Sequence, residues 1–279
     1  MSDRSGLDAN ALTGEAAGVP FVALPPEGSR ERAATVLLWH MHDPPRSEKA
    51  MAAALPLRGL DAWRVYLGLP LSGTRLPAGG LDAFFALGFE DAVLRLYGPT
   101  VEQAVHEFPA AFAELRRDHG VGDGPIAVVG ASIGALITLR VVASGDLPVA
   151  AIVLVSPALR LASVVAANER RFAVSYPWNA ESRAVAAELD FVTRAPEVAR
   201  MGAPTLLVVG ADDDEEGIAR PAEELASVLV SEGVDASVVR VPDMAHALAD
   251  EPGLEPSPQS AAAAAVDDEV AEWLRKHSI

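Results

Sequence analysis

Apolar residues along this chain gather in two rhythms: short, mostly apolar runs, and longer stretches with a helical repeat. The short runs fall at 21–24, 35–39, 62–67, 125–130, 150–155, 205–209 and 236–241. The run at 35–39 is apolar on both faces, as expected of a central parallel strand covered on each side. Between the runs the spacing changes to helical. One helix is expected from Ser47, a suitable N-cap with Glu48 behind it, through Leu55. A second is expected to start at Thr100, to carry Val101, Val105, Phe108, Phe112 and Leu115 on one face, and to end near Gly120. Pro109 is expected to kink or divide it. Further helices are expected at 221–231 and 261–276.

Strand and helix alternate six or seven times. This predicts an α/β fold with a mainly parallel central sheet flanked by helices on both faces. Residues 1–18 are polar and read as a flexible leader, and 19–279 as one domain. Within it, 159–201 is helical in pattern but broken at Pro177, and reads as a short helical lid inserted into the sheet core. The stretch 81–97 carries Phe84, Phe85, Phe89 and Tyr97. Core packing is the reading taken for these rings, with a pocket wall as the alternative.

Composition narrows the partners. A net charge of −17 argues against nucleic acid and anionic membrane surfaces, both of which attract basic patches. The chain has no cysteine, which excludes disulfides, thiolate catalysis and cysteine-ligated zinc. No stretch approaches the roughly 18 uninterrupted apolar residues of a membrane helix, and the first residues lack a signal-type apolar core, so a cytoplasmic protein is expected. Oligomeric state cannot be read from the sequence.

The candidate chemistry centres on Gly130-Ala131-Ser132-Ile133-Gly134. An apolar strand ends there and a helical pattern begins, the context in which a G-x-S-x-G serine sits on a sharp, strained turn with its hydroxyl exposed. Glycine on either side removes β-carbons that would collide where strand and helix pass close together. The turn also aims the first helical N–H groups, that of Ile133 first, at an oxygen bound beside the serine.

A serine hydroxyl needs a base, and the base needs an orienting carboxylate. In an open parallel sheet the reacting groups gather at the carboxyl ends of strands. Of the six histidines, only His40, His42 and His246 follow strands, and of these three His246 alone lies beyond both the serine and the acidic loop after 205–209. The His40-Met41-His42-Asp43 run raises the question of a metal, but no second histidine cluster supplies the remaining ligands. Neither metal nor cofactor is expected.

With serine, acid and histidine in that order, the chain resembles the α/β-hydrolase family over roughly residues 20–275. The resemblance implies an esterase-like serine hydrolase in which Ser132 is the nucleophile and His246 takes its proton. The acid usually stands three residues after the glycine that closes its strand. Counting from Gly210 points to Asp213, with Asp212 and Asp214 as immediate alternatives. The second oxyanion-hole N–H is implied to come from Met41 or His42, the latter preferred; the family's usual glycine there is replaced. His40 reads as structural. The implied reaction is cleavage of a carboxylic ester, thioester or lactone of a small or medium acyl substrate through an acyl-enzyme. The alternatives are an acyltransferase using the same intermediate and a hydrolase-like protein that binds a small molecule without turnover.

Overall fold

The computed structural model describes residues 10–279. Eight strands form its sheet: β1 (Leu12–Ala16), β2 (Val19–Leu24), β3 (Ala34–Trp39), β4 (Ala62–Leu67), β5 (Ile126–Ala131), β6 (Ala151–Val155), β7 (Thr205–Gly210) and β8 (Ala236–Val241). Their order is β1-β2-β4-β3-β5-β6-β7-β8. β1 pairs antiparallel with β2, and β2 antiparallel with β4, while every other pair is parallel. The helices are α1 (Glu48–Ala54), α2 (Gly80–Asp91), α3 (Gly98–His119), α4 (Ile133–Ala143), α5 (Leu161–Phe172), α6 (Ala180–Glu188), α7 (Ala195–Ala199), α8 (Arg220–Ser231) and α9 (Ala261–Lys276).

Alternation along the strands builds two cores, one on each face of the sheet. Val36 and Leu38 of β3, with Ala127 and Val129 of β5, pack under α1 and α9 against Met51, Val266 and Leu274. Leu37, Trp39 and Val128 point the other way and meet α3 and α4 through Phe108, Leu115 and Leu136. Because β3 and β5 are buried on both faces, consecutive apolar residues are required there. Truncating one of them, as in Leu37→Ala, is expected to cost about 2–5 kcal/mol.

Chain order also fixes where a site can form. β4 lies on one side of β3 and β5 on the other. The connections leaving β3 and β5 therefore run in opposite directions and leave a crevice at their carboxyl ends. Trp39 is level with Gly130 in the β3–β5 register, so the segments 40–43 and 132–134 emerge side by side.

Three expectations are corrected. The flexible leader 1–18 overlaps a strand at Leu12–Ala16, while residues 1–9 lie outside the described residues. Ala17 and Gly18 both have positive φ (46° and 80°) and make the two-residue turn that returns the chain into β2. Three of the five β1 residues are exposed, which is why the segment has no apolar run. Thr100 does not cap α3: the helix begins at Gly98 with Pro99 in its first turn, and Thr100 is buried inside it. Pro109 does not divide α3 either. Its ring sits on the exposed side, and the buried face from Val101 to Leu115 stays continuous.

Candidate active site

Ser132 links β5 directly to α4 with φ 49° and ψ −116°, a conformation that L-residues hold only when their surroundings impose it. The flanking glycines explain how it is imposed. A β-carbon on Gly134 would lie 2.4 Å from the carbonyl oxygen of Trp39, and one on Gly130 would lie 2.4 Å from that of Gly134. The serine N–H donates to the Val155 carbonyl of β6 at 2.9 Å, which pins the turn across the sheet.

His246 arrives on the loop after β8. This loop closes tightly on the end of β7, where a β-carbon on Gly210 would come within 2.2 Å of the Met244 carbonyl oxygen. The Ser132 hydroxyl donates to His246 Nε2 at 2.9 Å. His246 Nδ1–H donates to both oxygens of Asp213, at 2.9 and 3.1 Å. Of the three adjacent aspartates, Asp213 is the one that meets the imidazole, and its side chain is 3% exposed. Asp214 instead accepts from the Gly217 N–H at 2.6 Å and from Arg170 at 2.7 Å, capping the next helical turn. Asp212 faces solvent.

Ser132, Ile133, His42, Asp213 and His246 line one cavity of about 110 Å³. As the first residue of α4, Ile133 has a backbone N–H without an intrahelical acceptor. His42 lines this cavity, whereas the Met41 side chain is fully buried in the core under α1. His40 has a packing role. Its Nδ1–H donates to the Met41 carbonyl and its Nε2 accepts from the Leu69 N–H. Burial, partly opposed by the Met41 carbonyl, lowers its pKa to about 4.

Two neighbours of the site were not marked by the sequence as parts of it: Asp43 stood only in the run that raised the question of a metal, and Arg46 carried no signal. Asp43 Oδ2 lies 3.8 Å from His246 Nε2, on the side away from Asp213. Arg46 is almost fully buried and ties two loops together. It donates to the His42 carbonyl at 2.7 Å, to the Pro252 carbonyl at 2.7 Å, and in forked fashion to Glu251. A basic residue next to Pro44-Pro45 reads as a surface charge until the loop after His246 is folded back onto it. Burial alone would lower the His246 pKa. The hydrogen bond and charge of Asp213, then the charge of Asp43, outweigh burial and the opposing charge of Arg171, so the net direction is upward. Among the described residues, no group of three or more His, Cys, Asp and Glu side chains is placed to hold a metal ion, and no helix is long and apolar enough to cross a membrane.

Residues 90–203 match the family model described as serine aminopeptidase, S33, a stretch that contains Ser132 but ends before Asp213 and His246. No curated protein matches the chain in sequence. Similar solved structures include a puromycin-hydrolyzing peptidase of Mycobacterium tuberculosis (16% identity, TM-score 0.62), over 98% of this chain but 40% of that one. Another is carboxyl esterase 2 of the mycorrhizal fungus Tuber melanosporum (16% identity, TM-score 0.61), over 99% of this chain and 88% of that one. A third is an esterase/lipase from an uncultured bacterium (16% identity, TM-score 0.57), over 97% and 86%. The strand order, the strained serine between β5 and α4 and this likeness over nearly the whole length agree with one another: the chain has the α/β-hydrolase fold.

Proposed function

We propose that the protein is a serine hydrolase that cleaves a carboxylic ester, thioester or lactone of a small or medium acyl substrate through an acyl-enzyme on Ser132. The observation that carries this reading is the continuous hydrogen-bonded line from Ser132 Oγ through His246 to Asp213. With the proton of the free imidazole on Nδ1, held there by Asp213, Nε2 has a lone pair for the serine proton. Ser132 Oγ attacks the carbonyl carbon as that proton moves to Nε2. The backbone N–H groups of Ile133 and His42 receive the oxyanion. Collapse expels the leaving group, which takes the proton from His246. Water then repeats the sequence on the acyl-enzyme and releases the acid.

A carboxylic ester is the substrate put forward here, although the similar structures include both esterases and a peptidase. In this reading, α5 to α7 form the lid over the site, since Val164, Asn168 and Arg171 of α5 line the serine cavity. A small-molecule acyl substrate and a cytoplasmic setting belong to the same proposal.

Labelling with a fluorophosphonate tests it. One label per chain on Ser132, absent from Ser132→Ala, supports the hydrolase, and turnover of an ester, thioester and aminoacyl-amide panel then names the bond. Adding alcohols or amines and looking for acyl transfer separates transferase from hydrolase. Folded wild-type protein that takes no label would favour binding without turnover.

A further inference from the structure

A second cavity of about 180 Å³ adjoins the serine cavity, and the two share His42, Asp43, Tyr97, Asn168 and Arg171 in their walls. They are two lobes of one cleft. The second lobe is walled by rings: Phe84, Phe85 and Phe89 of α2, Tyr97, Phe172 at the end of α5, and Tyr176. Among the described residues, the large apolar side chains left exposed are Phe85, Phe89, Phe172, Val174 and Val230, and the first four line this lobe. Isolated exposed apolar groups are ordinary, but a cluster round one concavity marks a surface that is covered in use.

The charged groups in the wall already have partners. Asp43 lies 3.8 Å from Arg171, Arg46 is forked onto Glu251, Glu90 pairs with Arg95, and Glu169 accepts from the Tyr176 N–H at 2.7 Å. The lobe therefore makes no demand for an ion. His42 stands where the lobes meet, stacked on Tyr97 (centroids 5.8 Å apart) and edge-on to Phe84 (5.0 Å). Both of its ring nitrogens are buried without a hydrogen-bond partner among the described residues. Burial, with the nearby charges of His40 and Arg46, lowers its pKa to about 3, so the ring is neutral and has one N–H to give and one lone pair to offer. A buried polar group left in this state gains from an occupant that supplies the missing bond.

We propose that the aromatic lobe seats one uncharged aromatic ring of the substrate, and that a His42 ring nitrogen hydrogen-bonds a polar atom lying between that ring and the carbonyl at Ser132. Volume limits the ring count, because a dry apolar cavity of about 150 Å³ holds one benzene. The inference rests on the serine-hydrolase reading and narrows its substrate class to neutral aryl-bearing esters with a hydroxyl, ether or amide near the reacting carbon.

The test uses ethyl esters followed by acid release, so that no aromatic leaving group competes for the lobe: acetate, cyclohexylacetate, phenylacetate and mandelate. Benzyl acetate asks whether the ring belongs to the alcohol side instead. Expected kcat/KM for the phenyl over the cyclohexyl ester is roughly 2- to 10-fold higher, with mandelate higher again by a similar factor. Phe172→Ala, at an exposed position, is expected to remove most of the aryl preference. His42→Phe is expected to remove the advantage of mandelate over phenylacetate while keeping the preference for a ring. Calorimetry with ethyl phenylacetate and ethyl cyclohexylacetate on Ser132→Ala measures the lobe without chemistry.

A wild type that labels at Ser132 but shows no aryl preference on either side of the ester would overturn the inference and leave the hydrolase reading standing. Failure to label strikes the hydrolase reading alone, and calorimetry still decides the lobe. If Phe172→Ala changes the sedimentation of the protein and leaves the ester ratios alone, the patch covers a second copy and the inference is overturned.

Discussion

Asp213→Asn is expected to cost most of the catalysis, whereas the same change one residue to either side is expected to cost little. Both Asp213 oxygens face His246 Nδ1 at 2.9 and 3.1 Å in a nearly dry environment. An asparagine there keeps the shape but can offer an N–H to Nδ1, which favours the tautomer with its proton on Nε2. In that form Nε2 has no lone pair for the Ser132 proton. The equivalent change in a serine-protease triad lowers kcat by about 10⁴, or roughly 5.5 kcal/mol of barrier. Asp214→Asn keeps a side-chain oxygen to cap Gly217, since Asn and Asp cap about equally well, and loses mainly the exposed pair with Arg170, so it is expected to cost about 0–1 kcal/mol of stability and little rate. Asp212→Asn alters a solvated side chain and is expected to stay within about 0.5 kcal/mol. Ester turnover and the rate of fluorophosphonate labelling, each paired with thermal unfolding, separate these effects. Asp213→Asn within about tenfold of wild type, or a neighbour losing as much as Asp213 does, would refute the assignment of the acid.

Activity is expected to fall on acidification through a pH above the ordinary imidazole value of about 6.5, because the imidazole must be neutral to accept the serine proton and its pKa is raised. The charged groups facing it are Asp213, Asp43 and Arg171. Asp43→Asn removes one raising charge and is expected to move the acid limb of kcat/KM to lower pH; a limb that stays in place contradicts the role given to this carboxylate. Gly210→Ala drives a β-carbon into the Met244 carbonyl at 2.2 Å, backbone against backbone. It is expected to cost about 1–3 kcal/mol of stability and to slow labelling of Ser132 by displacing the His246 loop, and unchanged melting and labelling would show that the loop yields freely.

The fold was legible where a face is buried and little else competes. β4 and α9 stand where the pattern put them, and β3 and β6 differ by one residue, because both faces of the strands and one stripe of the helix are buried. β1 was not legible, since a mostly exposed strand held by a turn and one partner needs no apolar run. Pro109 misled for a related reason: its cost falls on the solvent side of a helix whose other side packs along its whole length.

The site divides along a physical line. The serine turn is contiguous chemistry, in which the spacing of two glycines is dictated by carbonyl oxygens at 2.4 Å, so it leaves a mark that five residues can carry. Asp213 was reachable only through the family resemblance, by counting from Gly210 with Asp212 and Asp214 as alternatives, and the close approach of Met244 to Gly210 fixes where that strand ends. The aromatic lobe has no such local mark. Phe84, Phe85 and Phe89 have the spacing of an ordinary buried face, and Phe84 is buried, yet Phe85 and Phe89 are 43% and 65% exposed. What makes them a wall is the arrival of Phe172 and Tyr176 from the other side of β5 and β6, a juxtaposition that depends on the crossover at β3 and β5 rather than on either segment. Asp43 and Arg46 follow the same rule: their partners, His246 and Glu251, lie about two hundred residues further along the chain. Chemistry confined to one turn is therefore written in the residues of that turn, whereas a cleft assembled across the sheet becomes visible only once the strand order is known.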